Sequence, residues 1–154
     1  MADDDIKIVA RNRRARHDYK ILDTYEAGLV LRGSEVKSVR EGKVSLAEAY
    51  ARIIDDEVYL VGAYIKPYEH TGDYDQPDSR RDRKLLLHRR EIRDLKRHID
   101  IKGNTLIPLS MYFRDGYAKV EIGVATGKRK YDKRQDMKER DAKREMDRAM
   151  KHYK

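Results

Sequence analysis

The 154-residue sequence has no cysteine, no tryptophan, one phenylalanine and three prolines, and several of its shortages close off a class of protein. Without cysteine there is no disulfide framework and no thiolate zinc site, and nothing marks an oxidising compartment. The five histidines, His17, His70, His88, His98 and His152, are scattered without ligand spacing, so no metal site is expected. No apolar run approaches the roughly 20 residues that span a bilayer. Met1 to Asp5 is acidic where an export signal is basic. Neither insertion nor export is expected, which leaves the cytoplasm. P-loop, G-x-G-x-x-G and G-x-S-x-G patterns are missing, and no carboxylate pair stands out from a chain that is 42% charged. The reading is of a non-enzyme with no catalytic residues, no cofactor and no small-molecule ligand.

What is abundant is positive charge. Lys and Arg number 36 against 28 Asp and Glu, a net charge of +8. A polyanion is the default partner, because each neutralised phosphate releases condensed counterions. Nucleic acid comes ahead of acidic lipid. The excess is uneven: Gly127 to Lys154 holds 12 Lys or Arg against six Asp or Glu, while the remainder is nearly balanced at 24 against 22. The chain divides into a body, 1–126, with room for one modest core, and a cationic tail, 127–154.

The body is patterned for strands. Tyr19 to Arg32 puts Tyr19, Ile21, Tyr25, Ala27, Leu29 and Leu31 on one parity, and Ala49 to Ile54 and Val58 to Ile65 flank a hairpin turn at Asp55-Asp56. The clearest hairpin is Thr105 to Phe113, then Arg114-Asp115-Gly116, then Tyr117 to Ala125. Pro108 cannot donate to a ladder, which predicts an edge position or a bulge. Two helices interrupt the strands. One runs over Ser34 to Arg40, with Ser34 as cap, Val36 and Val39 on one face and Gly42 as stop. The other runs from about His88 to Ile101, with Ile92, Leu95 and Ile99 facing a core. Lys66 to Arg83, with Pro67, Gly72 and Pro77, reads as a mobile surface loop whose basic end is Arg80-Arg81-Asp82-Arg83-Lys84. Six or so short strands and two helices make a mainly β protein with short helices, an antiparallel barrel of the oligonucleotide-binding kind.

In the tail, Ala142, Met146, Ala149, Met150 and Tyr153 form a thin helical stripe, supported by Asp136/Arg140 and Glu139/Lys143 at i, i+4. Such a helix is marginal alone, so the tail is expected to be disordered when free and helical on a partner surface. Near the N-terminus, Arg11, Arg13, Arg14, Arg16 and His17 beside Asn12 and Tyr19 combine phosphate donors, a base-edge amide and a stacking ring. Exposed Arg clusters also serve solubility alone. Most of the 11 tyrosines fit core or rim positions, Tyr131 in the charged tail being the candidate for stacking on a base. Two rivals stay open at this level: a general single-strand-binding barrel, and a tail lying on anionic membrane, although its stripe is mostly Ala and Met rather than Leu, Phe or Trp.

The runs Asn12-Arg13-Arg14-Ala15-Arg16-His17-Asp18-Tyr19, Tyr25-Glu26-Ala27-Gly28 and Gly33-Ser34-Glu35-Val36-Lys37-Ser38, followed in order by Arg83-Lys84-Leu85-Leu86-Leu87-His88, Gly123-Val124-Ala125, Gly127-Lys128 and Asp132-Lys133-Arg134, resemble the SmpB family of transfer-messenger-RNA-binding (SsrA-binding) proteins. The resemblance implies a bacterial cytoplasmic protein whose barrel clasps the tRNA-like domain of transfer-messenger RNA (tmRNA). It implies delivery of that RNA to ribosomes stalled on messages without a stop codon, with peptide tagging by trans-translation. Protein and RNA domain together would mimic a tRNA. Carried over residue by residue, the RNA contact falls on Asn12, Arg14, Arg16, His17, Glu26, Glu35, Lys37, Ser38, Leu86, His88 and Lys119. The tail would become helical in the decoding centre and empty messenger channel, with Lys128, Lys130, Tyr131, Asp132, Lys133, Arg134, Lys138, Arg140 and Met150 touching the ribosome. Tyr131 stands where some members have His, and His88 where some have Asn.

Overall fold

The computed structural model describes residues 5–68 and 77–151, with the side chains of 129–133 and 151 outside that set. In chain order the elements are β1 (Ile6–Arg11), α1 (Ala15–Asp18), β2 (Tyr19–Leu29), α2 (Gly33–Arg40), β3 (Val44–Ser45), β4 (Tyr50–Ile54), β5 (Glu57–Val61), β6 (Tyr64–Ile65), β7 (Arg83–Leu86), α3 (Arg89–Ile99), β8 (Asn104–Arg114), β9 (Tyr117–Gly127) and α4 (Lys128–Lys151). The main sheet runs β1-β8-β4-β5-β7-β2-β9, and β9 pairs again with β8. That last pairing closes β8, β4, β5, β7, β2 and β9 into a six-stranded antiparallel ring. Strand β1 is appended to β8, and β3 and β6 make a separate two-stranded ribbon.

Two hairpins fix the register. Ile54 pairs with Glu57 and Arg114 with Tyr117, so both loops have two residues. Asp55 and Asp56 sit at φ 49 and 63, and Asp115 and Gly116 at φ 50 and 84. Positive φ at both loop positions is the type I′ turn, whose twist matches that of paired strands. The β8–β9 loop is therefore Asp115-Gly116, one residue shorter than expected, with Arg114 inside the strand. Alternation then sends Ala27 and Leu29 from β2, Val120, Ile122 and Val124 from β9, and Met111 and Phe113 from β8 into one core with Val39 of α2 and Leu95 of α3. Truncating a fully buried residue such as Leu95 removes about 2–5 kcal/mol.

Pro108 lies in a central strand, paired on one side with β9 and on the other with β1 and β4. Of the two outcomes expected, the bulge is the one realised: the register shifts between Pro108 and Ser110, leaving Leu109 as the extra residue. A Cβ on Gly123 would lie 3.0 Å from Leu109 Cδ1, so glycine at 123 is what lets the bulged leucine lie across β9. Outside the barrel, Leu109 joins Ala15, Ile107 and Ala125 in a second small cluster, which seats α1.

Helix α2 is not capped by Ser34. The cap position is Arg32, and Glu35 reaches back to accept its backbone N–H at 2.9 Å. Lys66 to Arg83 is anchored at its described ends rather than free. Ile65 N–H donates to Ser79 O at 3.0 Å and Lys66 N–H to Lys43 O at 3.0 Å, and Arg83 opens a strand. The expectation for the middle of that loop, including Gly72, falls on residues 69–76, outside the described residues. Helix α4 leaves the barrel directly from β9, and residues 136–150 are all exposed. Its stripe residues Met146 and Met150 are exposed, at 67% and 71%, and Tyr153 lies outside the described residues.

Candidate nucleic-acid interface

Register brings three of the body's candidates, Glu26, Leu86 and Lys119, onto the outer wall of the barrel. Gly28 of β2 pairs with Leu86 of β7 on one side and Lys119 of β9 on the other. Lys119 pairs with Tyr112 of β8, and Tyr112 with Ile8 of β1. One row thus reads Leu86, Gly28, Lys119, Tyr112, Ile8, and the next reads Glu26, Glu121, Ser110, Arg11. Residues opposite each other across strands share a face, and the neighbours of these residues in sequence, Leu85, Ala27, Val120 and Met111, point into the core. Glu26, Leu86 and Lys119, 93 residues apart at the extremes, therefore border one surface. Gly28 contributes no side chain between them, and Leu86 is 54% exposed, an apolar patch in the middle of polar groups.

The two oxygens of Glu26 differ. Tyr112 Oη donates to Oε2 at 2.5 Å, and Arg114 Nε lies 3.1 Å from that same oxygen. Both contacts fall on Oε2, so the carboxylate is held by one of its two oxygens. Burial, and then donation to Glu26, raise the Tyr112 phenol above its ordinary value of 10.0. Glu121, beside Glu26 in register, is offset by Arg16, whose guanidinium approaches at 3.7 Å. Tyr112, Arg114 and Glu121 were not singled out from sequence. The signal for them was the hairpin register, legible once the turn is set at two residues.

The N-terminal basic run divides. Burial of Ala15 holds α1 against the barrel, leaving Arg14, Arg16 and His17 exposed. The His17 ring Nδ1 lies 2.9 Å from Asp18. Arg14 borders a cleft of about 380 Å3 with Tyr19 and Tyr50, rings suited to stacking. Asn12 is committed inward: its amide donates to Pro108 O at 3.0 Å and Leu46 O at 3.4 Å, and its backbone N–H donates to Leu109 O at 2.8 Å. It locks the bulge of β8 rather than offering a base-edge donor.

Two other candidates face the interior. Glu35 is 3% exposed, pairing with Arg81 at 2.5 Å and with Arg83 at 2.7 Å. Burial alone would raise its carboxyl, but hydrogen bonds from Arg81, the Arg32 amide and Arg83 outweigh that and hold it below the usual range. Arg83, fully buried, also donates to Ala63 O and Ser79 O. Ser38 is 1% exposed. Glu35 and Ser38 are thus buried in the body, and the carboxylate of Glu35 is engaged by Arg81 and Arg83 rather than lying on the outer wall with Glu26, Leu86 and Lys119. Arg81 and Arg83 are likewise spent internally and are not a basic surface. Lys37 is exposed, its Nζ 5.2 Å from the Tyr68 ring centroid. His88 is the exposed cap of α3, its backbone N–H donating to Glu91 at 3.0 Å.

In the tail, Lys128, Lys138, Arg140 and Met150 are exposed, while Arg134 donates to the Lys102 carbonyl and ties the start of α4 to the body. The side chains of Lys130, Tyr131, Asp132 and Lys133 lie outside the described residues. Among the described residues no His, Asp or Glu cluster could hold a metal, and no helix is long and apolar enough to cross a membrane.

Comparisons with known proteins show what the chain as a whole is similar to. An SsrA-binding protein of Chloroflexus aurantiacus is 58% identical over 144 residues, covering 94% of this chain and 90% of the relative. Another, from Acetivibrio thermocellus, is 54% identical over 151 residues, covering 98% and 97%. Among solved structures, a chain from one described as "tmRNA-SmpB: a journey to the center of the bacterial ribosome" superposes with a TM-score of 0.65 at 56% identity, covering 77% of this chain and 83% of that one. The sequence model of the family described as SmpB protein matches residues 9–152, and with the barrel, its outer wall and the emergent helix in place, the chain belongs to the SmpB family.

Proposed function

We propose that this chain binds the tRNA-like domain of tmRNA through the outer wall of β7, β2 and β9 and delivers it to stalled ribosomes for trans-translation. The observation that carries the reading is the convergence of Glu26, Leu86 and Lys119 around Gly28, with Arg14, Arg16 and His17 along the flank. The chemistry suits a folded RNA read by shape. Lys119 and the arginines meet phosphate, Leu86 offers an apolar seat for a ribose or an unstacked base, and the Glu26 carboxylate accepts from a sugar hydroxyl or base amino group. None of these contacts needs Watson–Crick readout, and the role is one of binding, with no bond made or broken. The helical, cationic, uncovered α4 fits a second polyanionic site, the decoding centre and empty messenger channel, so that body and RNA together stand in for a tRNA. A protein acting there works in the cytoplasm.

The test is a gel shift with the intact tRNA-like domain. Glu26→Ala and Lys119→Ala should each weaken binding by about tenfold with unchanged circular dichroism, since both side chains lie outside the core. Equal affinity for a misfolded control RNA would favour the single-strand reading instead.

A further inference from the structure

Leu86 also borders a second surface. Where β5 and β7 meet α3 there is an open groove of about 890 Å3 whose lining includes Leu86, Ile92 and four cations, Lys84, Arg89, Arg93 and Lys96. Two of the cations are neutralised in place: Lys84 pairs with Glu57 at 3.0 Å, and Lys96 pairs with Asp56. Arg89 and Arg93 are exposed and have no carboxylate partner among the described residues, which leaves Asp55 as the one groove acid set against two free guanidinium groups. Spaced i, i+4, the two arginines share a face of the helix.

The placement of Arg89 also works against the fold. Arg89 is the first residue of α3 and Arg90 the second, with Glu91 the acid of that turn. A cation there opposes the partial positive charge of the helix end and lowers helix stability. Among the described residues no ion pair offsets that cost at Arg89, which points to a partner outside the chain.

We propose that Arg89 and Arg93 form a second phosphate-binding edge for the same folded RNA, gripping its backbone where it turns from the Leu86 wall onto α3; this rests on the RNA-binding reading above. The groove is continuous with that wall through Leu86, its unmatched charge is positive, and a guanidinium fork suits phosphate oxygens. The footprint then turns a corner of the barrel.

The experiment measures binding of the full chain to the tRNA-like domain of tmRNA across a salt series, for the parent, R89Q/R93Q and K84Q/K96Q. R89Q/R93Q is expected to bind about tenfold more weakly at low salt. The slope of log Kd against log salt should fall by between about one and two, one counterion release per lost contact. Its Tm should hold or rise. K84Q/K96Q removes the same charge from ion-paired positions and should move the slope less. An unchanged slope in R89Q/R93Q, a fall in its Tm, or an equal loss in K84Q/K96Q overturns the proposal. A parent that does not bind overturns the underlying reading as well, whereas a parent that binds beside an unaltered R89Q/R93Q removes this inference alone.

Discussion

A carboxylate on a surface meant for phosphate has to be held off from it, and at Glu26 this is done by anchoring one of its two oxygens. Tyr112, only 6% exposed, is too buried to meet an RNA itself but donates to Oε2 and so fixes the carboxylate in place. Tyr112→Phe is therefore predicted to weaken RNA binding by about three- to tenfold without lowering Tm. The loss should vanish in a Glu26→Gln background, a non-additivity that a double-mutant cycle reads directly. Glu35 makes a different prediction. The fold holds it below its ordinary value of 4.5, so its contribution to stability is complete above that value and is lost as pH falls through the lower folded-state value. Tm measured from pH 7 down to pH 3 should drop at the acid end for the parent. Glu35→Gln should be less stable by about 3–5 kcal/mol at neutral pH, because buried Arg83 loses its counter-charge, and should lack that acid step. A parallel acid decline in both proteins would place the titration elsewhere.

Individual elements show which features local patterning reveals and which it hides. The alternation of Ala118, Val120, Ile122 and Val124 and the Asp-Gly pair make the β8–β9 hairpin legible, because side-chain period and turn chemistry are both local. Strand β1 is not legible. Ile6 and Ile8 are 46% and 45% exposed, so no buried face imposes alternation, and its pairing partner β8 lies about a hundred residues away. Strand β7 is hidden by Arg83, a core residue only because Glu35 is 48 residues distant in sequence and adjacent in space. The same blindness applies to Asn12, whose amide reads as a base-edge donor until Pro108 is folded against it. Glu26 and Leu86 lie within family-like motifs and Lys119 comes from the resemblance outside them, but that the three share a wall requires the register. The bulge in β8 is itself testable. Gly123→Ala should cost about 1–3 kcal/mol by forcing Leu109 aside, and the cost should shrink when Leu109→Ala is already present; equal penalties in chemical denaturation would mean that the contact is not what constrains position 123.

For the whole molecule, the body and α4 meet through little more than the first helical turns, where Arg134 reaches the Lys102 carbonyl. Deleting residues 127–154 is accordingly predicted to leave affinity for the tRNA-like domain within a few fold while abolishing tagging of stalled peptides. Losing most RNA affinity on truncation would refute that division of labour. The difference in helical circular dichroism between full-length and truncated chains reports how much of α4 is populated without a partner. A further consequence comes from β8, which pairs with β1, β4 and β9 at once. While the protein is being synthesised, the strands made first wait, edges open, for those made last. Strand β1 has nothing to dock on until β8 has emerged, and the ring cannot shut until β9 follows. Nascent chains of increasing length should stay protease-sensitive until Gly127 has cleared the exit tunnel and then become protected in one step. A message broken anywhere upstream of that codon yields no half-working barrel able to compete with the finished one.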